Sequence, residues 1–435
     1  GTNHLTTWFF PLLGHSRDPE DGVLTSQVTK TRAIGKLFPP NILPLEIDSD
    51  HAKRIRGLIV DSANPMVTWA DIHAQKKAYK KLDLMVVIDV AMTETAREAH
   101  YVLPASSQYE KYESAFFTEN FFHLRKPVLP PLEGTLPEPE IYTRLLQAMG
   151  EIPEDFSELI AAAQKDKEEP GSGHFQQALM KASIEHPAMK RYAVMVLKES
   201  LGKVLPGDAA AAGPLWMTAQ MYAGKYPEAI RQAGFEGNGS ELGMAIFEKI
   251  LKSPSGVKLS KQDYKDHGNL VKHPDNKIQL HIPEMLRWLD DLPEQLLKIE
   301  QFEKDYPFNL IAGERRAYNA NTIIRNPEWR KMDAEGALKI NPADAEHCGV
   351  EEGDTVKLTS SSGSIEILTK ITDEVPQGVL SMPHGHELTY DSSDDYREVG
   401  AKVNMLTSTD YCDPLAKTPY HKNVRVKLEK VLVSA

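Results

Sequence analysis

The sequence predicts an α/β domain on a Rossmann-like parallel sheet, followed by a mainly helical region and a C-terminal β barrel. Three patterns predict it. Short apolar runs alternate with helical periodicity in the first third, Pro- and Gly-punctuated helical stretches fill the middle, and two-residue alternation with tight turns takes over after Tyr306.

The first clear strand is Ile55 to Val60, ending in the turn-forming run Asp61-Ser62-Ala63-Asn64-Pro65. A helix should follow with Thr68 as its cap, because Trp69, Ile72, Tyr79 and Leu82 fall on one face. Leu84-Met85-Val86-Val87-Ile88 is a continuous apolar run of the kind that parallel strands covered on both faces carry, and Asp89 ends it. Thr93 to His100 then reads as a short helical turn with capping-box spacing between Thr95 and Glu98, followed by the strand Tyr101-Val102-Leu103 and Pro104. Strand, helix, strand, helix, strand with short right-handed connections gives a parallel sheet.

Pro127 to Pro139 is proline-rich and reads as a linker. Helices are expected at Ile141 to Met149, Phe156 to Lys165, Phe175 to Ile184, Met189 to Leu201, Trp216 to Ala223 and Ser240 to Leu251, broken at Glu169-Pro170-Gly171 and Pro206-Gly207. Farther on, Thr355 to Thr359 and Ser364 to Ile371 alternate across Ser361-Ser362-Gly363 as a hairpin would. Before them, Asn341 is an N-cap, Pro342 an N1 proline and Gly349 a stop, so a small helix is inserted in the barrel. No internal repeat is visible.

At 435 residues the chain has room for about three units at roughly 150 residues each. Hydrophobic residues at 41% and charged residues at 26% are the balance of a soluble globular protein. The net charge of −12 opposes binding to a nucleic-acid backbone or an anionic lipid surface, although local arginines and helix N-termini can still hold a phosphate-bearing small molecule. No apolar run reaches the roughly 18 residues of a membrane span, and the opening GTNHLTTWFFPLLGH lacks a secretory-signal pattern and reads like the middle of a protein. Cys348 and Cys412 are the two cysteines and belong to no C-x-x-C pair, so both are read as structural or incidental and no metal ligand is assigned.

Several of these segments together resemble one family. Val87-Ile88-Asp89-Val90-Ala91-Met92-Thr93-Glu94-Thr95-Ala96, continuing through Tyr101-Val102-Leu103-Pro104-Ala105 to Glu110, resembles a segment of the molybdopterin oxidoreductases of dimethyl-sulfoxide-reductase and formate-dehydrogenase type. Asn64-Pro65 belongs to the same pattern, and Gly1-Thr2-Asn3 resembles the end of that family's glycine-rich cofactor loop. A second match is Pro307 to Gly313 with Arg315 and Arg316, then Ile340-Asn341-Pro342-Ala343-Asp344-Ala345, Gly349-Val350, Gly353-Asp354-Thr355-Val356, Gly363, Pro376, Gly378-Val379, Asn404-Met405-Leu406-Thr407 and Asp413-Pro414. It resembles the family's molybdopterin-dinucleotide-binding barrel, of the six-stranded, aspartate-decarboxylase-like type. Lys277-Ile278-Gln279-Leu280 resembles the edge motif before that barrel.

The resemblance implies four segments: residues 1–54, the N-terminal part of a cofactor-binding domain cut from what precedes it; 55–135, the Rossmann-like domain; 136–300, a helical connection or insertion; and 301–435, the barrel. It implies the C-terminal half of a catalytic subunit that uses molybdopterin guanine dinucleotide with molybdenum or tungsten for two-electron redox of a small substrate. The metal ligand and any iron–sulfur cluster would lie in an N-terminal half of the same subunit. This chain alone is expected to be inactive, with that half and an electron-transfer subunit as partners. The substrate and the compartment, cytoplasmic or periplasmic, stay open. The alternative is a scaffold subunit that has kept the architecture and lost the cofactor.

The expected cofactor-binding residues are Asn64, Pro65, Asp89, Thr93, Thr95, Arg315, Arg316, Asn404 and Lys422. Asp89 stands at the carboxyl end of a buried parallel strand, where ligands of open α/β sheets collect, and a carboxylate there can take two N–H donors from a guanine edge. An isolated aspartate in that place would only cap the next turn, as isolated threonines at Thr93 and Thr95 would only cap a helix. Arginines after a strand ending in Gly313 can fork onto phosphate or a pterin carbonyl. Asn404 and Lys422 match family positions near the cofactor more loosely. Other signals are discounted: Gly237-Asn238-Gly239 with Gly243 is a loop, His384-Gly385-His386 belongs to a turn or cofactor pocket rather than a metal pair, and Asp391 to Asp395 is a solvated surface.

Overall fold

A computed structural model of the chain describes residues 24–34, 37–115, 121–261, 265, 268, 271, 273–314, 325–330, 336–391 and 396–431. It falls into two compact units. Of the described residues, one takes Pro104–Leu280 and the other combines those from 24 to 103 with those from His281 onward.

In the second unit, β1 (Gly57–Asp61) pairs in parallel with β2 (Leu84–Asp89), Gly57 opposite Leu84 and Asp61 opposite Ile88, and β3 (Tyr101–Pro104) flanks β2. Parallel pairing in this register brings the carboxyl ends of β1 and β2 to one edge. Helices α1 (Leu43–Ile47), α2 (Pro65–Thr68) and α3 (Ile72–Tyr79) pack with the sheet around Ile47, Val60, Ala78, Tyr79, Met85 and Val87. Thr68 ends α2 instead of opening the helix. Asp71 caps α3 from a left-handed conformation, φ 59°, its side chain accepting the Ala74 N–H. The expected helical turn at 93–100 shortens to a single 3-10 turn, Ala96–Glu98. Burial of β2 on both faces is incomplete: Met85, Val87 and Ile88 are fully enclosed, while Leu84 is 44% exposed and Val86 half-buried.

The Pro104–Leu280 unit contains the antiparallel β4 (Glu113–Ala115), β5 (Phe121–Arg125) and β6 (Val257–Lys258). Its helices include Glu138–Ala148, Ser157–Glu168, His174–Glu185, Pro214–Lys225 and Ser240–Lys252, each near its expected range. The expected helix Met189 to Leu201 is broken into Ala188–Arg191, Ala193–Glu199 and a 3-10 turn Leu201–Val204. Phe122 and Leu124 of β5 share a core with Leu215, Ala219, Leu242, Ile246 and Ile250. That shared core explains why the unit begins at Pro104, whereas the sequence placed a boundary at 135. The other end falls at Leu280 rather than 300, and Lys277 to Leu280 forms no strand.

From Phe308 the chain closes a six-stranded barrel in the order β10, β8, β11, β7, β14, β9. These strands are β7 (Phe308–Glu314), β8 (Leu338–Ile340), β9 (Thr355–Thr359), β10 (Ser364–Ile371), β11 (Val379–Pro383) and β14 (Val424–Lys430); β12 (Tyr390–Asp391) and β13 (Tyr396–Arg397) form a separate pair. Closure removes every sheet edge, and the inward residues Leu310, Leu338, Ile340, Val356, Leu358, Leu380 and Val426 fill the interior. The β9–β10 hairpin forms as expected, Thr359 opposite Ser364. Helix Pro342–Cys348 has Asn341 accepting the Ala343 N–H and Gly349 as a left-handed stop at φ 65°.

Phe122 has no exposure, whereas its neighbour Phe121 is 39% exposed. Phe122→Ala should therefore destabilise the Pro104–Leu280 unit by about 3–5 kcal/mol, read from urea unfolding, while Phe121→Ala should cost far less. Equal costs would mean that β5 is not anchored in that core.

Candidate functional site

The carboxyl edge of the β1–β2 sheet is organised by two loops. After β1, Asn64 precedes Pro65, the buried first residue of α2, whose missing N–H costs a helix start nothing. After β2, the turn holds Asp89, Thr93, Glu94 and Thr95. The loops are bracketed together: the Asn64 Oδ1 accepts the Thr95 hydroxyl at 2.8 Å and the Thr95 N–H at 3.2 Å, and its Nδ2 donates to Glu94 Oε2 at 2.6 Å. Thr95 is fully buried, and its hydroxyl oxygen also accepts the Met66 N–H at 3.0 Å. Thr93, likewise buried, accepts the Ala96 N–H at 3.0 Å.

Asp89 is placed differently. It is half-buried, accepts the Ala91 N–H at 3.1 Å, and makes no ion pair with the described residues. Burial pushes its carboxyl above the ordinary aspartate range, opposed by the Ala91 and Val90 N–H groups and the more distant Arg325. A carboxyl in that condition gains from an external donor.

The barrel meets this edge through named bonds. Glu94 Oε1 accepts from Arg325 at 3.0 Å and from the Thr389 N–H at 2.6 Å. Both side chains of the Glu94–Arg325 pair are nearly enclosed, 13% and 15% exposed. Burial opposes the charge on Glu94, yet Arg325, the Thr389 N–H and Asn64 hold its carboxyl below the ordinary value. The Val67 carbonyl, at the end of α2, accepts from Asn404 Nδ2 at 2.6 Å and from His384 Nε2 at 2.9 Å. Asn404 is fully buried, and its Oδ1 accepts from the Thr407 hydroxyl and from His421. Lys422 donates to the Gly313 and Ala312 carbonyls at 2.8 and 3.2 Å, fixing the end of β7.

Of the expected site residues, Asn64, Pro65, Asp89, Thr93, Thr95, Asn404 and Lys422 therefore gather where sheet and barrel meet. Arg315 and Arg316 lie outside the described residues, as do Gly1-Thr2-Asn3. Glu94, Arg325, Glu387 and the Val67 carbonyl were not anticipated at this junction, while His384, expected in a turn or cofactor pocket, lies in the bend after β11. No sequence signal marked Glu94, because the burial of its neighbours Thr93 and Thr95 is visible only in the fold. Gly239 precedes a helix with no strand before it, as expected of a loop, and Asp391 pairs with Arg97 at 2.6 Å. A separate cavity of about 720 Å³ is lined by Ser360, Thr407, Tyr411, Tyr420 and Arg425 among others.

Asp89 gives this edge an acceptor of the kind that the N–H donors of a dinucleotide base would take, and Gly313 ends β7 in a left-handed conformation, φ 80°, where an added Cβ would already touch the His384 Cβ at 3.5 Å. Among the described residues no group of three or more His, Cys, Asp or Glu could hold a metal ion.

Comparison with known proteins decides the family. The family model for "Molybdopterin oxidoreductase" matches residues 27–148, and that for "Molydopterin dinucleotide binding domain" matches residues 308–425. The chain belongs to the molybdopterin oxidoreductases. It is 27% identical over 391 residues to the F420-dependent formate dehydrogenase subunit alpha of Methanocaldococcus jannaschii, covering 89% of this chain and 45% of that protein. It is 23% identical to the trimethylamine-N-oxide reductase of Haemophilus influenzae, over 76% of this chain and 36% of that one. The acetylene hydratase of Pelobacter acetylenicus has the same fold, with a TM-score of 0.52 at 17% identity over 91% of this chain and 47% of its own. The chain thus spans about half the length of the curated formate dehydrogenase relatives it matches. Among the described residues, no helix is long and apolar enough to cross a membrane.

Glu94→Gln leaves Arg325 buried without its counter-charge, a change expected to cost about 3–5 kcal/mol. Because folding holds the Glu94 carboxyl below its ordinary 4.5, its stabilisation is complete above that pH and is lost as pH falls through the lower folded value. Acid titration of thermal stability checks both points, since the variant should lose part of the acid-side slope. An unchanged slope would remove Glu94 from the account of acid stability.

Proposed function

We propose that this chain forms the dinucleotide-gripping part of a molybdenum- or tungsten-dependent bis-pterin oxidoreductase, whose complete form carries out two-electron redox of a small substrate. The observation that carries this reading is Asp89: a carboxyl at the carboxyl edge of a parallel sheet, raised by burial and without an ion-pair partner among the described residues. In this reading Asp89 accepts two N–H donors of the guanine. Asn64 and Thr95 act by fixing the loops around it, and Thr93 shapes the turn. Arg315 and Arg316, with Lys422 farther along the chain, serve phosphate or pterin oxygens. The bound group supplies the redox centre; this chain orients it and shields it from water. The metal ligand and any iron–sulfur cluster come from residues of the complete subunit outside this chain, and electrons leave to a separate subunit. The formate dehydrogenase and trimethylamine-N-oxide reductase relatives support the class of a small redox substrate without selecting one.

One observation favours a second reading. The polar atoms of Asn64, Thr95 and Asn404 are engaged within the protein, as they would be in a scaffold that had lost its cofactor.

Asp89→Ala in the full-length protein separates the two readings. Charge-assisted hydrogen bonds are worth about 1.5–3 kcal/mol each, so guanine-nucleotide content after purification should fall at least roughly tenfold, with the thermal melt little changed. Unchanged nucleotide content in a folded variant would reject the guanine assignment, and absence of nucleotide from the wild-type protein would favour the scaffold.

A further inference from the structure

The segment after β11 carries two ionisable side chains to which the dinucleotide reading gives no task. Glu387 is enclosed, with no side-chain exposure. Its Oε2 accepts the Gly385 N–H at 2.7 Å, while Oε1 is buried with no hydrogen-bond partner among the described residues. A carboxylate in such a place is strongly disfavoured, because an oxygen stripped of water and given no donor loses its solvation without replacement. Burial accordingly pushes the Glu387 carboxyl up, against the pull of His384 and two backbone N–H groups, and the charge on Glu94 pushes the same way as burial.

His384 lies with Nε2 3.8 Å from Glu387 Oε1 and is 24% exposed. That separation is too long for a hydrogen bond and short enough for strong electrostatic coupling. The Val67 carbonyl, 2.9 Å from Nε2, can only accept, so Nε2 carries a hydrogen and Nδ1 is the ring atom left to exchange a proton. The imidazole also borders the end of β7, where a Cβ placed on Gly313 would lie 3.5 Å from the His384 Cβ and 4.0 Å from Lys422 Nζ. The charged groups around the pair come from three elements. Glu94 faces Glu387 from the turn after β2, itself paired with Arg325, while His421 and Lys422 face His384 from the segment before β14. Arg330, enclosed beside them, donates to the His386 carbonyl at 2.9 Å.

We propose that His384 and Glu387 form a coupled pair holding one exchangeable proton at the cofactor-facing end of the barrel, with Glu387 as the buried store and His384 as the group that exchanges. Two microstates contain the same single proton: a neutral carboxyl beside a neutral ring, or a carboxylate beside an imidazolium protonated at Nδ1. Only O–H and N–H bonds change, no electron moves, and the pair stays neutral in both states. Oxidation or reduction of a small substrate by two electrons takes up or releases protons, and this pair could lend or accept one at the β7 end. Placing that end against the cofactor rests on the dinucleotide reading; the existence of the pair does not.

The test is infrared spectroscopy of the full chain without cofactor, following the C=O band of a protonated carboxyl against pH. A band should persist above the pH at which exposed glutamates have ionised, should shift with ¹³C-labelled glutamate, and should vanish in Glu387→Gln. The isotope shift keeps the test open should that variant fail to fold. In His384→Ala the band should persist to a pH higher by about one unit, because the group that favours the ionised form has gone. No persistent glutamate band in the wild type, or an unchanged midpoint in His384→Ala, would overturn the pair. Loss of the nucleotide assignment through Asp89→Ala would leave this band untouched, so the two readings fail separately.

Discussion

The carboxylate of Glu94 is the constraint on which the junction between sheet and barrel depends. It is an anion placed almost out of water, which is tolerable only with several donors in good geometry, and they come from three distant parts of the chain: Asn64 after β1, Arg325 after β7 and the Thr389 N–H after β11. Each donor belongs to a loop that connects rigid strands, so one charge fixes three loops at once. The second tie, the Val67 carbonyl shared by Asn404 and His384, works in the same sense with a neutral acceptor. Truncating either end of the Glu94–Arg325 pair leaves a stripped charge rather than a weaker contact, which makes the junction cooperative.

What the sequence made legible was whatever is encoded locally. The apolar runs at 57–61 and 84–89, the hairpin across Ser361-Ser362-Gly363 and the Asn341–Gly349 helix all depend on residues within a few positions of one another. The start of α3 was misread for a local reason too: the helical face beginning at Trp69 is continuous, but Asp71 in a left-handed conformation breaks it and recaps it. The unit boundaries were harder to read, because β5 carries a strand pattern whose partners lie more than a hundred residues on, in the Ser240–Lys252 helix and at Val257. For the site, Glu94 with Arg325 and His384 with Val67 are pairs separated by 231 and 317 positions. No period or spacing encodes such a pairing.

The geometry also sorts the motif residues by what they can still do. Asn64 gives its oxygen to Thr95 and its nitrogen to Glu94, and Thr95 gives its oxygen to Met66, so these residues set the shape of the edge more than its chemistry. Asp89 keeps a raised carboxyl with backbone donors alone. Within one short motif, position and chemistry are thus divided between neighbours, as a binding edge requires: the group that meets a ligand must be spared the work of holding the loop.

That division bears on how the two acids of this junction differ. Glu94, after β2, and Glu387, after β11, are both carboxyls largely or wholly removed from water, yet their environments push them in opposite directions. Glu94 has a guanidinium and two other donors and stays ionised; Glu387 has a backbone N–H on one oxygen, nothing among the described residues on the other, and the Glu94 charge nearby. Burial pushes the second carboxyl up, and the fixed anion adds to that push, since two negative charges in one low-dielectric region repel. Separating a structural acid from a proton-holding one in this way needs no metal and no large movement. It needs only that Arg325 be committed to Glu94, which also explains why a cation at this edge can be buried without neutralising the acid behind it.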